Sequence, residues 1–288
     1  MDALTRIEQA LASALAAAES GCPPGLAAAV RHAVFPGGAR IRRRLCLSVA
    51  RACGDDRPAV ADAAAASIEL LHCASLVHDD LPCFDDASLR RGKPSVHRAF
   101  GERLAVLGGD ALIVLAFETL TRGAATAPER LPALLLTIAR SVGMPNGIVA
   151  GQAWECEPSV ELTEYHRAKT GALFAAATAA GAAAAGADPT TWGELGARLG
   201  EAFQVADDIR DVAADPVELG KPIGQDLALD RRSAVRDLGL SGAMDRLERL
   251  VGEAIASIPA CPGAIELRAT ILAQSKSFLP KDLLRAAA

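Results

Sequence analysis

The sequence predicts an all-α protein, and three observations carry that expectation. Apolar residues make up 51% of the 288 positions, yet aromatics are only 3%, so alanine rather than the β-branched and aromatic residues of strands dominates the hydrophobic fraction. Apolar residues recur at helical spacing along long segments, and no convincing period-two strand interrupts them. Proline and glycine fall between these segments, at Pro23-Pro24, Asp188-Pro189 and within 36–38, 54–58 and 259–263.

Taken in order, helices are expected over 59–80, 102–121, 165–187 and 192–212. The stretch 68–77 is strongly apolar and runs into an acidic cluster. The longest uncharged run, 170–187, is mostly Ala and Gly. It is too weakly apolar to span a bilayer and reads as a helix buried among others. With no solenoid repeat and no Gly/Ser linker, one helical domain over 1–288 is the economical organisation, packed through small side chains.

Composition also excludes function classes. The net charge is −5 with no basic stripe along the chain, which argues against nucleic acid as a partner. Asp2, Arg6, Glu8 and Glu19 leave no apolar leader. The seven cysteines form no CxxC pair and no zinc spacing, so a reduced, cytoplasmic chain with cysteines acting as small apolar residues is expected.

Two aspartate clusters carry the chemistry. The first is His78-Asp79-Asp80-Leu81-Pro82-Cys83-Phe84-Asp85-Asp86. Pro82 breaks the helix just after the first acidic pair, which lets Asp85 stay on the side of Asp79. The second is Phe203-Gln204-Val205-Ala206-Asp207-Asp208-Ile209-Arg210-Asp211. Asp207 and Asp211 are i,i+4 and Asp208 and Asp211 are i,i+3, so one helix face collects like charges that repel. Either cluster alone is compatible with a solvated helix end. Two of them, each ending an apolar helix, point to carboxylate walls holding Mg²⁺, which takes one or two carboxylates and leaves sites for diphosphate oxygens.

Cations lie near these clusters. Arg90 and Arg91 follow the first in Leu89-Arg90-Arg91-Gly92-Lys93-Pro94, and arginine's planar fork suits phosphate. Arg40, Arg42, Arg43 and Arg44 form a basic knot after Gly37-Gly38. His72 precedes Asp79 by two helical turns and shares its face. Lys169-Thr170 and Lys221 add further polar groups. Each is individually compatible with a surface charge or a core histidine; the combination suggests a diphosphate site.

In these residues the chain resembles the trans-isoprenyl diphosphate synthase (polyprenyl synthetase) family over nearly its whole length. The motif DDxxxxD with trailing RRGKP matches Asp79, Asp80, Asp85, Arg90 and Arg91. FQxxDDxxD matches Phe203, Gln204, Asp207, Asp208 and Asp211. GxxxGxD matches Gly220, Gly224 and Asp226, with Lys221 at the lysine place. Lys169-Thr170-Gly171 and Gly109-Asp110 fit as well. The resemblance implies a single bundle around a deep central cavity (the isoprenoid synthase fold), usually a homodimer. It implies Asp79, Asp85, Asp207 and Asp211 on the metals, with Asp80 and Asp208 completing the catalytic motifs. Arg90, Lys169 and Lys221 would then hold the allylic diphosphate, and Arg42, His72 and Arg91 isopentenyl diphosphate. Thr170 and Gln204 are further substrate-side residues. The chain departs from GGKRxRP, with Ala39 for the lysine and Arg43 for the proline, and has Arg231 where a lysine is usual.

The implied reaction ionises an allylic diphosphate, condenses the cation with isopentenyl diphosphate and loses a proton to the released diphosphate. In farnesyl-producing relatives a bulky aromatic stands five residues before the first aspartate; here that position is Ala74, beside Ser75. The small side chain favours the C20 product, geranylgeranyl diphosphate, with the C15 product as the alternative. The segments GGARIR, HCASLVHDDLP and GQAWE resemble bacterial synthases that feed carotenoid pathways. A terpene cyclase or a non-catalytic synthase subunit is a lesser alternative. The cyclase needs no isopentenyl site, and such a subunit normally lacks one aspartate motif.

Overall fold

The computed structural model describes residues 3–35, 38–159, 161–213 and 233–276. Among them regular structure is helical apart from one hairpin of two-residue arms, so the all-α expectation holds. The chain forms two compact units, Met1–Ala139 with Ala180–Pro189, and Arg140–Ala179 with Thr190–Ala288.

The first unit contains α1 (Ala3–Glu19), α2 (Pro24–Val34), α3 (Ile41–Ala52), α4 (Pro58–Asp79), the hairpin β1 (Leu89–Arg90) and β2 (Lys93–Pro94), α5 (Val96–Phe100) and α6 (Glu102–Gly123). Ile7, Leu11 and Leu15 follow one another at i,i+4 on α1 and are all buried. α4 starts with Pro58 in its first turn, where no amide partner is needed. It is apolar on nearly every side, and Val60, Ala64, Ile68, Leu71 and Val77 are all buried. Glycines let α6 approach α4 closely: a Cβ at Gly123 would stand 2.1 Å from the Ala63 Cβ, and one at Gly109 would stand 2.0 Å from His78 Nε2.

Within this unit the hairpin departs from the helical expectation. Arg90 pairs with Lys93 across a two-residue loop in which Arg91 (φ 55°) and Gly92 (φ 76°) are both left-handed, the type I′ geometry that joins twisted strands. Arms of two residues are too short to print an alternating pattern. Lys93 Nζ donates to the carbonyls of His32 (2.5 Å) and Phe35, satisfying acceptors at the end of α2.

The second unit contains α8 (Ile148–Ala153), α9 (Leu162–His166), a π-helical turn over Arg167–Gly171, α11 (Gly193–Ala213), α12 (Ala234–Ala256) and α13 (Ala264–Lys276). α7 (Leu131–Val142) and α10 (Ala172–Ala184) each carry the chain across the boundary. Phe174, Leu195, Leu199, Ala202, Ile209, Leu247, Leu250 and Ala254 form its core. Ser233 caps α12, its Oγ accepting from the Arg236 amide at 3.3 Å. The continuous helix expected over 165–187 is therefore interrupted by the π turn, a rare element that occurs mostly at functional sites.

None of the seven cysteines is in a disulfide. Cys46 and Cys73 are buried, and Cys83 and Cys156 are exposed. Pro58–Asp79 and Glu102–Thr126 are long and apolar enough to cross a membrane; the former is largely buried inside the protein.

Candidate active site

In the first unit, α4 ends at Asp79 and Asp80 is its C-cap. The Asp85 amide then donates to the Asp79 carbonyl at 3.0 Å and the Asp86 amide to the Leu81 carbonyl at 3.1 Å. The backbone thus folds back after Pro82 and returns Asp85 to the helix end, as the proline suggested. The side chains divide. Asp79 is 15% exposed and Asp80 only 3%, while Asp85 faces solvent. Arg90 donates to Asp80 through Nε (2.9 Å) and Nη2, with Nη2 3.7 Å from Asp79. Burial pushes the Asp80 carboxyl up despite Arg90. Burial also pulls Arg90 down, but the Asp80 bond and charge outweigh it and leave Arg90 raised.

Arg42 on α3 lies with Nη1 3.3 Å from His72 Nε2 on α4. Guanidinium has only donors, so Nε2 accepts and Nδ1 carries the imidazole proton. Burial, then the charges of Arg42, Arg91, Arg90 and Arg40, hold His72 well below its usual range. Burial lowers Arg42 to about 10, still a cation at neutral pH. Arg91 Nη1 is buried and has no hydrogen-bond partner among the described residues, while its Nη2 lies 3.8 Å from Glu69. An orphaned guanidinium N–H beside a neutral histidine is an arrangement that an anion completes.

The rest of the basic knot turns inward. Arg43 is 0% exposed and bonds Glu8 at 2.6 Å; Arg40 bonds Glu69 at 2.5 Å and approaches Glu8 at 3.3 Å. Arg43 is therefore an internal ion-pair residue rather than a surface cation, whereas Arg44 is exposed. Ala74 is buried on α4, and Ser75 Oγ donates to the His72 carbonyl at 2.9 Å.

In the second unit, Lys169 and Thr170 sit in the π turn. A chain of hydrogen bonds leads from Thr170 into α11 and on to α12. Thr170 Oγ1 donates to Gln204 Oε1 at 3.4 Å, Gln204 Nε2 to Asp208 Oδ1 at 3.2 Å, and the Ala234 amide to Asp208 Oδ2 at 2.7 Å. Asp208 is 5% exposed and Asp211 6%, leaving Asp207, which accepts from Arg210 at 2.9 Å, as the more accessible carboxylate of its motif. Lys221, with Gly220, Gly224, Asp226 and Arg231, lies outside the described residues.

Two functional candidates are assigned no role from the sequence. Glu155, the last residue of the GQAWE segment, accepts from Lys169 Nζ at 2.5 Å, and no charge pattern marks it. Glu69 does leave a signal: an acid inside the apolar run of α4 must be paired to be buried. Among the described residues no group of three or more His, Cys, Asp or Glu forms a ready metal cage. The exposed Asp85 returned beside Asp79 matches an ion that takes few protein carboxylates and fills its shell with water and phosphate oxygens.

The sequence model described as "Polyprenyl synthetase" matches residues 23–266. The chain belongs to the polyprenyl synthetase family. It is similar to the geranylgeranyl diphosphate synthase of Cereibacter sphaeroides, with 58% identity over 279 residues covering 96% of this chain and 97% of that one. It is also similar to the geranylgeranyl diphosphate synthase of Rhodobacter capsulatus, at 54% identity over 91% of each. Among solved structures it resembles a Zymomonas mobilis FPP/GFPP synthase (TM-score 0.77, 32% identity, 96% of this chain and 98% of that one). It likewise resembles a Helicobacter pylori geranyltransferase complexed with magnesium and isoprenyl diphosphate (TM-score 0.77, 33% identity, 88% of each). As a member of the polyprenyl synthetase family the chain is a prenyltransferase with the all-α isoprenoid synthase fold.

Proposed function

We propose that this prenyltransferase condenses isopentenyl diphosphate head to tail with allylic diphosphates and releases geranylgeranyl diphosphate. The observation that carries the reading is the cation set of the first unit. Neutral His72 against Arg42, and Arg91 with an orphaned buried N–H, form a receptor for a second diphosphate, which a cyclase does not need. We read the two units as one catalytic domain, cytoplasmic and acting in isoprenoid supply such as carotenoid synthesis. The described surface includes apolar Val106, Leu107 and Val114 on α6, which supports a homodimer packed through that helix.

In this reading Asp79, Asp85, Asp207 and Asp211 would hold Mg²⁺, which would supply charge stabilisation for the leaving diphosphate. Asp80 keeps Arg90 extended and charged at the allylic diphosphate, which Lys169 and Lys221 also hold. Arg42, His72 through Nδ1–H, and Arg91 grip the diphosphate of the isopentenyl substrate and fix its double bond toward the allylic carbon. Thr170 and Gln204 line the substrate side of the π turn. The buried walls exclude water from the cation, and the departing diphosphate takes the proton. Arg44 is the cation of the knot open to substrate where Ala39 replaces lysine.

Ala74 and Ser75 leave the space that a longer tail needs, because a filled pocket cannot also hold further isoprene units. The test is a product assay of the purified chain with dimethylallyl, geranyl and farnesyl diphosphates, each with isopentenyl diphosphate and Mg²⁺. Geranylgeranyl diphosphate is the expected end product, and Ala74→Phe shifts it to the C15 product. Absence of isopentenyl incorporation refutes the synthase reading, and an unchanged product from Ala74→Phe removes Ala74 as the floor of the cavity.

A further inference from the structure

We propose that Glu155 is a positioning residue for Lys169, and that Gly151-Gln152 and Tyr165 complete the holder. The inference rests on the reading of Lys169 as a ligand of the allylic diphosphate. Glu155 lies in the single 3-10 turn Trp154–Cys156 that continues α8, with donors converging on its carboxylate from three residues. Oε1 accepts from Lys169 Nζ at 2.5 Å and from the Tyr165 hydroxyl at 2.5 Å. Oε2 accepts from Gln152 Nε2 at 2.6 Å. The Lys169 ammonium also stands 5.7 Å from the Tyr165 ring centroid, within cation–π range.

The backbones are in contact too. A Cβ at Gly151 would lie 2.4 Å from the Lys169 amide nitrogen, so only glycine lets α8 reach the π turn. Burial, opposed by Lys169 and aided by Glu155, pushes the Tyr165 phenol up to about 12, which keeps it a donor to the carboxylate.

A lysine ammonium is a compact charge on a flexible four-carbon stem, and left alone it would sample many rotamers. Glu155 fixes it at one point. The carboxylate that holds the ammonium also keeps it charged and gives it a defined direction toward a phosphate oxygen. Glu155 acts through Lys169 and touches no reacting atom.

The experiment is a double-mutant cycle in steady-state kinetics, with geranyl and isopentenyl diphosphates varied separately. Glu155→Gln is expected to raise KM for geranyl diphosphate about tenfold while KM for isopentenyl diphosphate stays within about twofold. Glu155→Asp, which retains the charge, recovers part of the loss. In a Lys169→Ala background Glu155→Gln adds less than about a twofold change, because the group it orients is gone. A silent Glu155→Gln beside a damaging Lys169→Ala overturns the positioning role alone, as does a tenfold effect that persists without Lys169. A Lys169→Ala enzyme with unaltered KM for geranyl diphosphate overturns the assignment of Lys169 itself. Should Glu155→Gln fold poorly by circular dichroism, Glu155→Asp and Tyr165→Phe run the same cycle: a rise in KM for geranyl diphosphate that vanishes in the Lys169→Ala background is expected, and no rise, or one that persists there, overturns the positioning role.

Discussion

Replacing Asp208 by alanine tests whether this aspartate builds the site rather than serving as a ligand in it. Its carboxylate is buried and takes the Ala234 amide on one oxygen and the Gln204 side chain on the other. Alanine removes a charge-assisted bond of about 1.5–3 kcal/mol and leaves a buried amide without its acceptor. Adding the weaker Gln204 bond gives an expected loss of about 3–4 kcal/mol. Asp208→Asn should cost only about 1 kcal/mol. Its Oδ1 still accepts from Ala234, and rotation of the Gln204 amide restores complementarity at the expense of the long Thr170 contact. The assay is urea unfolding of the metal-free chain followed by circular dichroism. Alanine should lower the midpoint well below asparagine, with similar slopes. A direct metal ligand gives the opposite pattern, with metal-free stability intact and both variants equally inactive. A wild-type midpoint for Asp208→Ala, or equal losses for the two variants, refutes the reasoning.

Gly109→Ala forces a methyl to within 2.0 Å of His78 Nε2 and should cost about 1–3 kcal/mol by overpacking. His78→Ala in the same chain should recover part of it, and strictly additive losses in thermal melts would count against the close α4–α6 approach. His72 binds a proton more weakly folded than unfolded. Its contribution to stability is therefore complete above the ordinary histidine pKa and is lost as pH falls below it, by up to about 1.4 kcal/mol per pH unit. Denaturant midpoints of wild type and His72→Asn between pH 7.5 and 5.5 should converge on acidification; parallel curves would mean that His72 is not held neutral.

The helices were legible because alanine content and spacing act locally, and α4 and α6 end within one or two residues of the expected limits. The return of Asp85 toward Asp79 was legible in Pro82. The π turn was not, because widening one turn around Lys169 leaves the composition of the segment unchanged. The division of the basic knot was hidden for a different reason. Whether Arg43 is interior or exposed depends on Glu8 and Glu69, which are remote in sequence. Lys93 follows Arg90 and Arg91 in the sequence, yet its ammonium is committed to the carbonyls that end α2. Asp208 shows the same limit, because its partner amide at Ala234 is visible only in three dimensions.

The inward turn of Arg40 and Arg43 bears on how the protein attracts its substrates. Two guanidinium groups matched against Glu8 and Glu69 cast little net field into solvent, so long-range attraction of an anion from this segment falls to Arg42 and Arg44. Capture rates should therefore fall less steeply with ionic strength than the arginine run in the sequence would suggest.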